Sequence, residues 1–264
     1  MTVSEMKIPF TRLDLQYQGL KKEISQAITR VFKHARFILG GEVKDFEKEF
    51  ARFCGVPYAV GVASGTEAIM LALKALGLQP GDEVITTPVT AFPTVTGILM
   101  AGAKPVFADI GKDFQLYPAK VEKVLTRRTK AIVPVHVYGI PNRMDHINRL
   151  AVKHGLKVVE DAAQAHGSLY KSRHAGTWGD AGCFSFYPTK NLGAYGDGGL
   201  IVTRSKKTYE ELLLLRDYGR SGRDKFRKIG INSRLDELHA AILRVKLRYL
   251  DRWRISSRLL ICCA

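Results

Sequence analysis

The sequence predicts an α/β fold, a mostly parallel sheet covered by helices on both faces in a three-layer αβα domain. Two observations carry this. Short apolar runs alternate with helical patterns along most of the chain, and the runs are apolar throughout, as suits strands buried on both sides. The residue types that suggest chemistry also fall just after predicted strands, at the carboxyl ends where ligands collect in such sheets.

Residues 12–34 read as an amphipathic helix, with Leu20, Ile24, Ala27, Ile28 and Val31 on one face. Gly40-Gly41 interrupts it, and Glu42 to Phe53 resumes a helical pattern through Val43, Phe46, Phe50 and Phe53. Strand and helix then alternate. Tyr58 to Val62 is a strand, followed by a helix from Ser64 to Leu76 that Gly77 stops. Glu83 to Thr86 and Pro105 to Ala108 are strands, separated by a helix from Phe92 to Ala101. Pro118 to Leu125 is a short helix and Ala131 to His136 a strand. Met144 to His154 is a helix ending at Gly155, before a strand from Lys157 to Asp161. Cys183 to Phe186 and Leu200 to Thr203 are two more strands. From Ser233 to Trp253, Leu235, Leu238, Ile242, Val245, Tyr249 and Trp253 recur at steps of three and four, which predicts one long helix with an apolar face in need of cover. No internal repeat or low-complexity linker appears, so the chain reads as one domain.

Composition narrows the function classes. The chain has 264 residues with an ordinary hydrophobic fraction of 46%, and no apolar run approaches the roughly 20 residues that span a bilayer. No secretory signal opens it. The four cysteines show no ligand spacing, and no metal site is expected. Reduced thiols and a cytoplasmic setting follow. The net charge is +16, of which +9 lies between Arg204 and Arg258. Such a balance suits a solvated surface, a partner interface, an anionic substrate or nucleic acid. Arg216, Arg220, Arg223 and Lys225 could meet a nucleotide diphosphate. No helix-turn-helix, zinc-finger or RNP pattern accompanies them, which makes nucleic acid the weaker partner.

The chemistry is concentrated in two stretches. In Ser185-Phe186-Tyr187-Pro188-Thr189-Lys190-Asn191-Leu192-Gly193, followed by Gly196-Asp197-Gly198-Gly199, a lysine sits in a glycine-rich turn after an apolar run. Upstream, Val158 to Gly167 closes an apolar run on Glu160 and Asp161 and continues through small residues. A strand-end aspartate and a loop lysine form the pair that pyridoxal phosphate chemistry requires. The amine binds the cofactor aldehyde and the carboxylate faces the pyridinium nitrogen. Alone, each has a plainer reading, as a surface lysine and as a helix cap. Ser64-Gly65-Thr66 opens a helix, where hydroxyls and free amides suit a phosphate dianion, and Ser185 could complete such a cup. Ser64 is equally well read as a simple N-cap.

The runs S-G-T-E-A (64–68), P-V-H-V-Y-G (134–139), E-D-A-A-Q-A-H-G (160–167), S-F-Y-P-T-K-N-L-G-A-Y-G-D-G-G (185–199) and N-S-R-L-D-E-L (232–238) resemble the sugar aminotransferases of the DegT/DnrJ/EryC1/StrS type, over about residues 8–254. The resemblance implies an aspartate-aminotransferase-like large domain (pyridoxal 5'-phosphate fold type I) and a homodimer with shared sites. It makes Lys190 the cofactor-binding lysine and Asp161 the partner of the ring nitrogen. Gln164 would hydrogen-bond the ring's phenolic oxygen, Phe92 would stack on the ring, and Asn232 would cross to the neighbouring subunit's phosphate. His136, Tyr138 and Tyr187 are candidates for substrate contact, and His166 reads as structural. Relatives that dehydrate instead of aminating carry histidine in place of the lysine, so Lys190 favours amino transfer. The implied reaction moves an amino group, from glutamate, to a nucleotide-linked keto-deoxysugar. Amination of C3 in a dTDP-linked 3-keto-6-deoxyhexose is the finer form, with C4 amination and an aminocyclitol substrate left open. A catalytically weakened or regulatory PLP-binding homologue, whose basic surface could bind nucleic acid, is the alternative. In the family the last helix leads to a smaller C-terminal domain. Here the chain stops at Ala264, and Ile255 onward leaves the pattern, so residues 1–264 are expected to be the large domain alone, with cofactor contacts intact and weak turnover.

Overall fold

The computed structural model describes Pro9 and residues 11–254. Its helices are α1 (Leu13–His34), α2 (Gly41–Cys54), α3 (Gly65–Ala75), α4 (Phe92–Met100), α5 (Pro118–Lys123), α6 (Met144–His154), α7 (Lys206–Leu215) and α8 (Glu237–Leu247). The strands are β1 (Tyr58–Val62), β2 (Glu83–Thr86), β3 (Lys104–Phe107), β4 (Thr129–Ile132), β5 (Lys157–Asp161), β6 (Leu169–Tyr170), β7 (Arg173–His174), β8 (Ala181–Ser185), β9 (Gly199–Thr203), β10 (Arg220–Gly222) and β11 (Lys225–Phe226). Seven of them form one sheet in the order β1-β9-β8-β5-β4-β2-β3, and the rest form two small hairpins.

Most strands of the large sheet bury both faces, as their apolar runs predict, the edge strand β3 being partly exposed, and alternate residues divide between two layers. Val60, Val84, Ala131, Val159, Cys183 and Ile201 point to the side of α3 and α7. Their neighbours point the other way. Phe184, Leu200 and Val202 meet α2 and α8, and Ile85, Ile132 and Val158 meet α6. A further layer forms where α1 lies on α8 through Leu20, Ile24, Ala27 and Val31. The three-layer αβα expectation therefore holds, and α1 adds to one side.

The sheet is less uniformly parallel than the strand–helix alternation suggests. β9 runs antiparallel to both β8 and β1, while β8, β5, β4, β2 and β3 are mutually parallel. Only residues 186–198 join β8 to β9, with no crossover helix, and a short connection returns the chain antiparallel. The strand predicted to reach His136 ends at Ile132. Pro134 has no N–H to give the ladder, although its carbonyl still accepts from Asp161 N and Val135 bridges Asp161.

The long C-terminal helix is also shorter than predicted. Residues 233–236 are not helical, with Ser233 Oγ accepting from Ala63 N and the extended Asp236 bridged to Ile38. The helix breaks at Arg248–Tyr249 before a last helical stretch at 250–254. Its start is fixed by contacts with α2. Glu237 accepts from the amides of Gly40 (2.6 Å), Glu42 (2.9 Å) and Val43 (3.1 Å), closing the N-terminus of that helix. Nor does α8 present its apolar face to solvent, since Ile242 and Val245 are buried against α1. The predicted departure from pattern after Ile255, and Cys262-Cys263, lie outside the described residues. Among the described residues no helix is long and apolar enough to cross a membrane.

Candidate active site

A cavity of about 640 Å³ opens at the carboxyl ends of the parallel strands, where the sheet expectation places it. Of the residues singled out from sequence, Ser64, Gly65, Thr66, Asp161, Gln164, Ser185 and Lys190 line it together.

Asp161 ends β5 and is 6% exposed. The amide of Ala163 donates to its Oδ1 at 3.1 Å, and Thr94 Oγ1 donates to its Oδ2 at 2.7 Å. Thr94 spends its only proton there, so Thr90, 2.6 Å away, must donate to Thr94. A hydroxyl relay from the start of α4 thus fixes the carboxylate. The sequence reading missed Thr94. Its signal was weak, a threonine in the first turn of a helix that opens with Phe92-Pro93.

Lys190 sits in the loop between β8 and β9. Its amide donates to Tyr187 O, and the amides of Ala194 and Phe186 close the loop onto Phe186 O and Gly198 O. Burial lowers the amine's pKa from the ordinary lysine value, and the Asp161 charge partly opposes this. A lysine tuned downward exposes its lone pair more readily near neutral pH.

At the far wall Ser64 caps α3, accepting from Glu67 N at 3.2 Å. The first-turn amides of Gly65 and Thr66 lie beyond the reach of any helical carbonyl. The backbone here is packed against Ser185 so closely that a Cβ on Gly65 would stand 2.7 Å from Ser185 Cβ. A Cβ on Gly199 would meet Ser64 O at 2.3 Å. Open helix amides, two serine hydroxyls and a threonine therefore share one cradle, a donor set that fits a phosphate group.

Gln164 turns its Oε1 toward the amide of Tyr138 at 2.7 Å, which orients the side-chain amide in the cavity wall. Tyr138, at φ 52° and 86% exposed, and Tyr187 stand at the mouth. His136 borders the cavity, but its ring is committed elsewhere. Nε2 meets Glu160 at 2.9 Å and Nδ1 accepts from Asn142 N. Glu160 also accepts from the amides of Gly176, Trp178 and Gly179, so this buried carboxylate is fully engaged. His166 is buried among Phe50, Phe184 and Phe186. Burial, with the Lys190 charge, drives its pKa to about 3, so it stays neutral, consistent with a structural role. Two expected residues lie apart. Phe92 falls between the lining residues Ala91 and Pro93, but its side chain is 79% exposed and is not in the wall. Asn232 is exposed on the surface, accepting from Arg234 Nε at 2.7 Å.

The family model described as "DegT/DnrJ/EryC1/StrS aminotransferase family" matches residues 18–262. The chain belongs to this family. The aminotransferase match continues past residue 254, where the sequence motifs gave out. A "Pleiotropic regulatory protein" of Geobacillus stearothermophilus is 47% identical over 96% of this chain and 68% of its own length. A "dTDP-3-amino-3,4,6-trideoxy-alpha-D-glucose transaminase" of Streptomyces venezuelae is 46% identical over 94% of this chain and 65% of its own length. The chain thus spans about two thirds of these relatives. The solved structure of NtdA from Bacillus subtilis, which holds the cofactor PMP, superposes with a TM-score of 0.88 at 34% identity, covering 94% of this chain and 57% of that one. The fold of this DegT/DnrJ/EryC1/StrS chain is accordingly aspartate-aminotransferase-like.

Proposed function

We propose that this chain is the cofactor-binding large domain of a pyridoxal 5'-phosphate-dependent sugar aminotransferase. The observation that carries it is the meeting, in one cavity, of an amine with lowered pKa at Lys190, the Thr94-held carboxylate of Asp161, and the open N-terminus of α3. The residues present fit the cofactor. Ser64, Gly65, Thr66 and Ser185 would take its phosphate, Asp161 its ring nitrogen and Gln164 its phenolic oxygen. Phe92, exposed beside the lining residues Ala91 and Pro93, would have to turn inward to cover the ring face, and Asn232 would reach the phosphate of a second copy, making a homodimer. When bound, the cofactor supplies an aldehyde that takes up the amino group and a ring that withdraws electrons from the carbon losing its proton. The protein does the rest. Asp161 would hold a proton on the ring nitrogen, the Thr94 bond keeps that carboxylate aimed, and Lys190 Nζ would carry a proton to and from the reacting carbon.

The substrates we assign are glutamate as donor and a nucleotide-linked keto-deoxysugar as acceptor, aminated at C3 in the manner the name of the Streptomyces relative describes. The buried free thiols Cys54 and Cys183 suit a cytoplasmic enzyme. The basic C-terminal region supports nucleic-acid binding less than its charge suggests. Arg216, Arg220, Lys228, Arg234, Arg244 and Arg248 each pair with a carboxylate.

Protein mixed with pyridoxal 5'-phosphate is expected to develop a visible absorbance band, and borohydride to fix a pyridoxyl label on Lys190. Lys190→Ala should show neither. An equal band in that variant overturns the assignment.

A further inference from the structure

Outside the cavity, α8 carries a buried lysine. Lys246 is 1% exposed, among the largest fully buried side chains of the protein. Its Nζ donates to Gly193 O at 2.7 Å and stands 4.0 Å from the centroid of the Tyr195 ring. Among the described residues no salt bridge joins it to a carboxylate, and burial alone lowers its pKa to about 8. An unpaired ammonium inside a protein is costly, and an apolar side chain of the same size is usually more stable there.

Both of its partners belong to the loop that carries Lys190. Gly193 is folded back over the start of that loop, so closely that a Cβ on it would come 2.3 Å from Pro188 O. The turn holding Lys190 is therefore closed by the Pro188–Gly193 approach, and the Gly193 carbonyl is the outer handle of that closure. The same face of α8 touches the loop again two turns earlier. A Cβ on Gly196 would meet His239 Cε1 at 2.6 Å, and His239 and Lys246 are seven residues apart. The charge does not act on Lys190 through its field, because the lowered pKa of Lys190 traces to burial, opposed by Asp161.

We propose that Lys246 is a positioning residue, whose ammonium clamps the Gly193 carbonyl and the Tyr195 ring and so fixes the turn that presents Lys190 to the cavity. Its effect on cofactor capture rests on the function proposed above; the clamp itself does not. A charged hydrogen bond and a cation–π contact are strong enough to add to the backbone bonds that close this glycine-rich loop.

The test uses the full chain with Lys246→Met, which fills the volume without charge or donor, and Lys246→Gln, which keeps a donor. Hydrogen exchange without cofactor is expected to quicken at the Lys190 and Ala194 amides by on the order of tenfold in the methionine variant. Exchange in α8 and the sheet should stay as it was, and the glutamine variant should lie between. Affinity for pyridoxal 5'-phosphate should fall by on the order of tenfold, the loss of about one charged hydrogen bond. Unchanged exchange in the loop overturns the clamp, and so does a general loosening of the whole protein. Should the methionine variant fail to fold, Tyr195→Leu removes the ring under the ammonium and is read by the same criteria. Quickened exchange in a protein whose Lys190 never takes a pyridoxyl label keeps the clamp and rejects the cofactor reading. Labelling with an unaltered loop does the opposite.

Discussion

Thr94 shows how much of a site can rest on one hydroxyl. It is fully buried, and its single proton goes to Asp161. Thr94→Val keeps the shape and removes the donor, so one lone pair of a buried carboxylate is left unmet, at about 1–3 kcal/mol. The expected outcome is a pyridoxal 5'-phosphate affinity reduced by roughly tenfold or more in spectrophotometric titration, while Thr94→Ser retains most of it. Lys246 makes a second prediction, on stability. Its folded-state pKa of about 8 lies below the ordinary 10.5. Below pH 8 folded and unfolded chains both hold the proton, and the burial penalty is fully present. Between about 8 and 10.5 only the unfolded chain holds it, so the stability this group contributes rises with pH. The groups facing it are Tyr195 and, behind that ring, Tyr17. Burial raises the Tyr195 pKa, so Tyr195 stays neutral over most of the window. Lys246→Met removes this titration but leaves the buried Gly193 carbonyl without its donor, so the stability gap between the unmodified protein and the variant is expected to shift in favour of the unmodified protein as pH rises from about 8 to 10.5 in urea melts. A gap constant with pH would contradict this. Lys190, Asp161 and the 64–66 turn were readable because each sits in a strand-end stretch of unusual composition. Thr94 and Lys246 were not, because their roles exist only through partners far along the chain. In sequence Lys246 is one more lysine in a basic helix.

Among the elements, the N-terminus of α3 is sharply constrained. Gly65→Ala places a methyl against Ser185. Either the serine or the helix must yield, and both belong to the phosphate cradle. Affinity for pyridoxal 5'-phosphate is expected to drop at least about tenfold, whereas weak binding of pyridoxal, which lacks the phosphate, should barely change. An equal loss for both compounds would move the defect away from the cradle. Most strands and helices were legible from apolar runs and from punctuation by glycine. α7 was not, because Leu212 to Leu215 is a continuous run without helical period. Its cue was local, with Ser205 Oγ accepting from Thr208 N at the helix start. The direction of β9 was equally hidden, since strand polarity follows from the length of the preceding connection and not from the strand's own residues. In α8 the periodicity was real, but Leu235 satisfies it from outside the helix, and Glu237 draws the start of the helix to α2.

For the whole molecule, stability depends on buried polar ties as well as the core. Arg216 and Glu47 form a buried ion pair, each also bonded to the backbone of Gly61 in β1. Arg216→Met strands the carboxylate, and urea denaturation should register a loss of about 3–5 kcal/mol. Changing both residues to apolar ones of similar volume should recover much of that. The shared-site proposal is tested by mixing. Lys190→Ala and Asn232→Ala proteins should each be poor in cofactor capture, and subunit exchange between them should restore one competent site per mixed dimer. No gain on mixing would mean that each subunit is self-sufficient. The bond from Glu237 to the amides of Gly40, Glu42 and Val43 joins positions almost two hundred residues apart, and α1 has its apolar stripe covered by α8. During synthesis the first two helices therefore leave the ribosome long before the segment that caps one and shelters the other has been made. Until then the nascent protein carries an unsealed helix end and a greasy ridge.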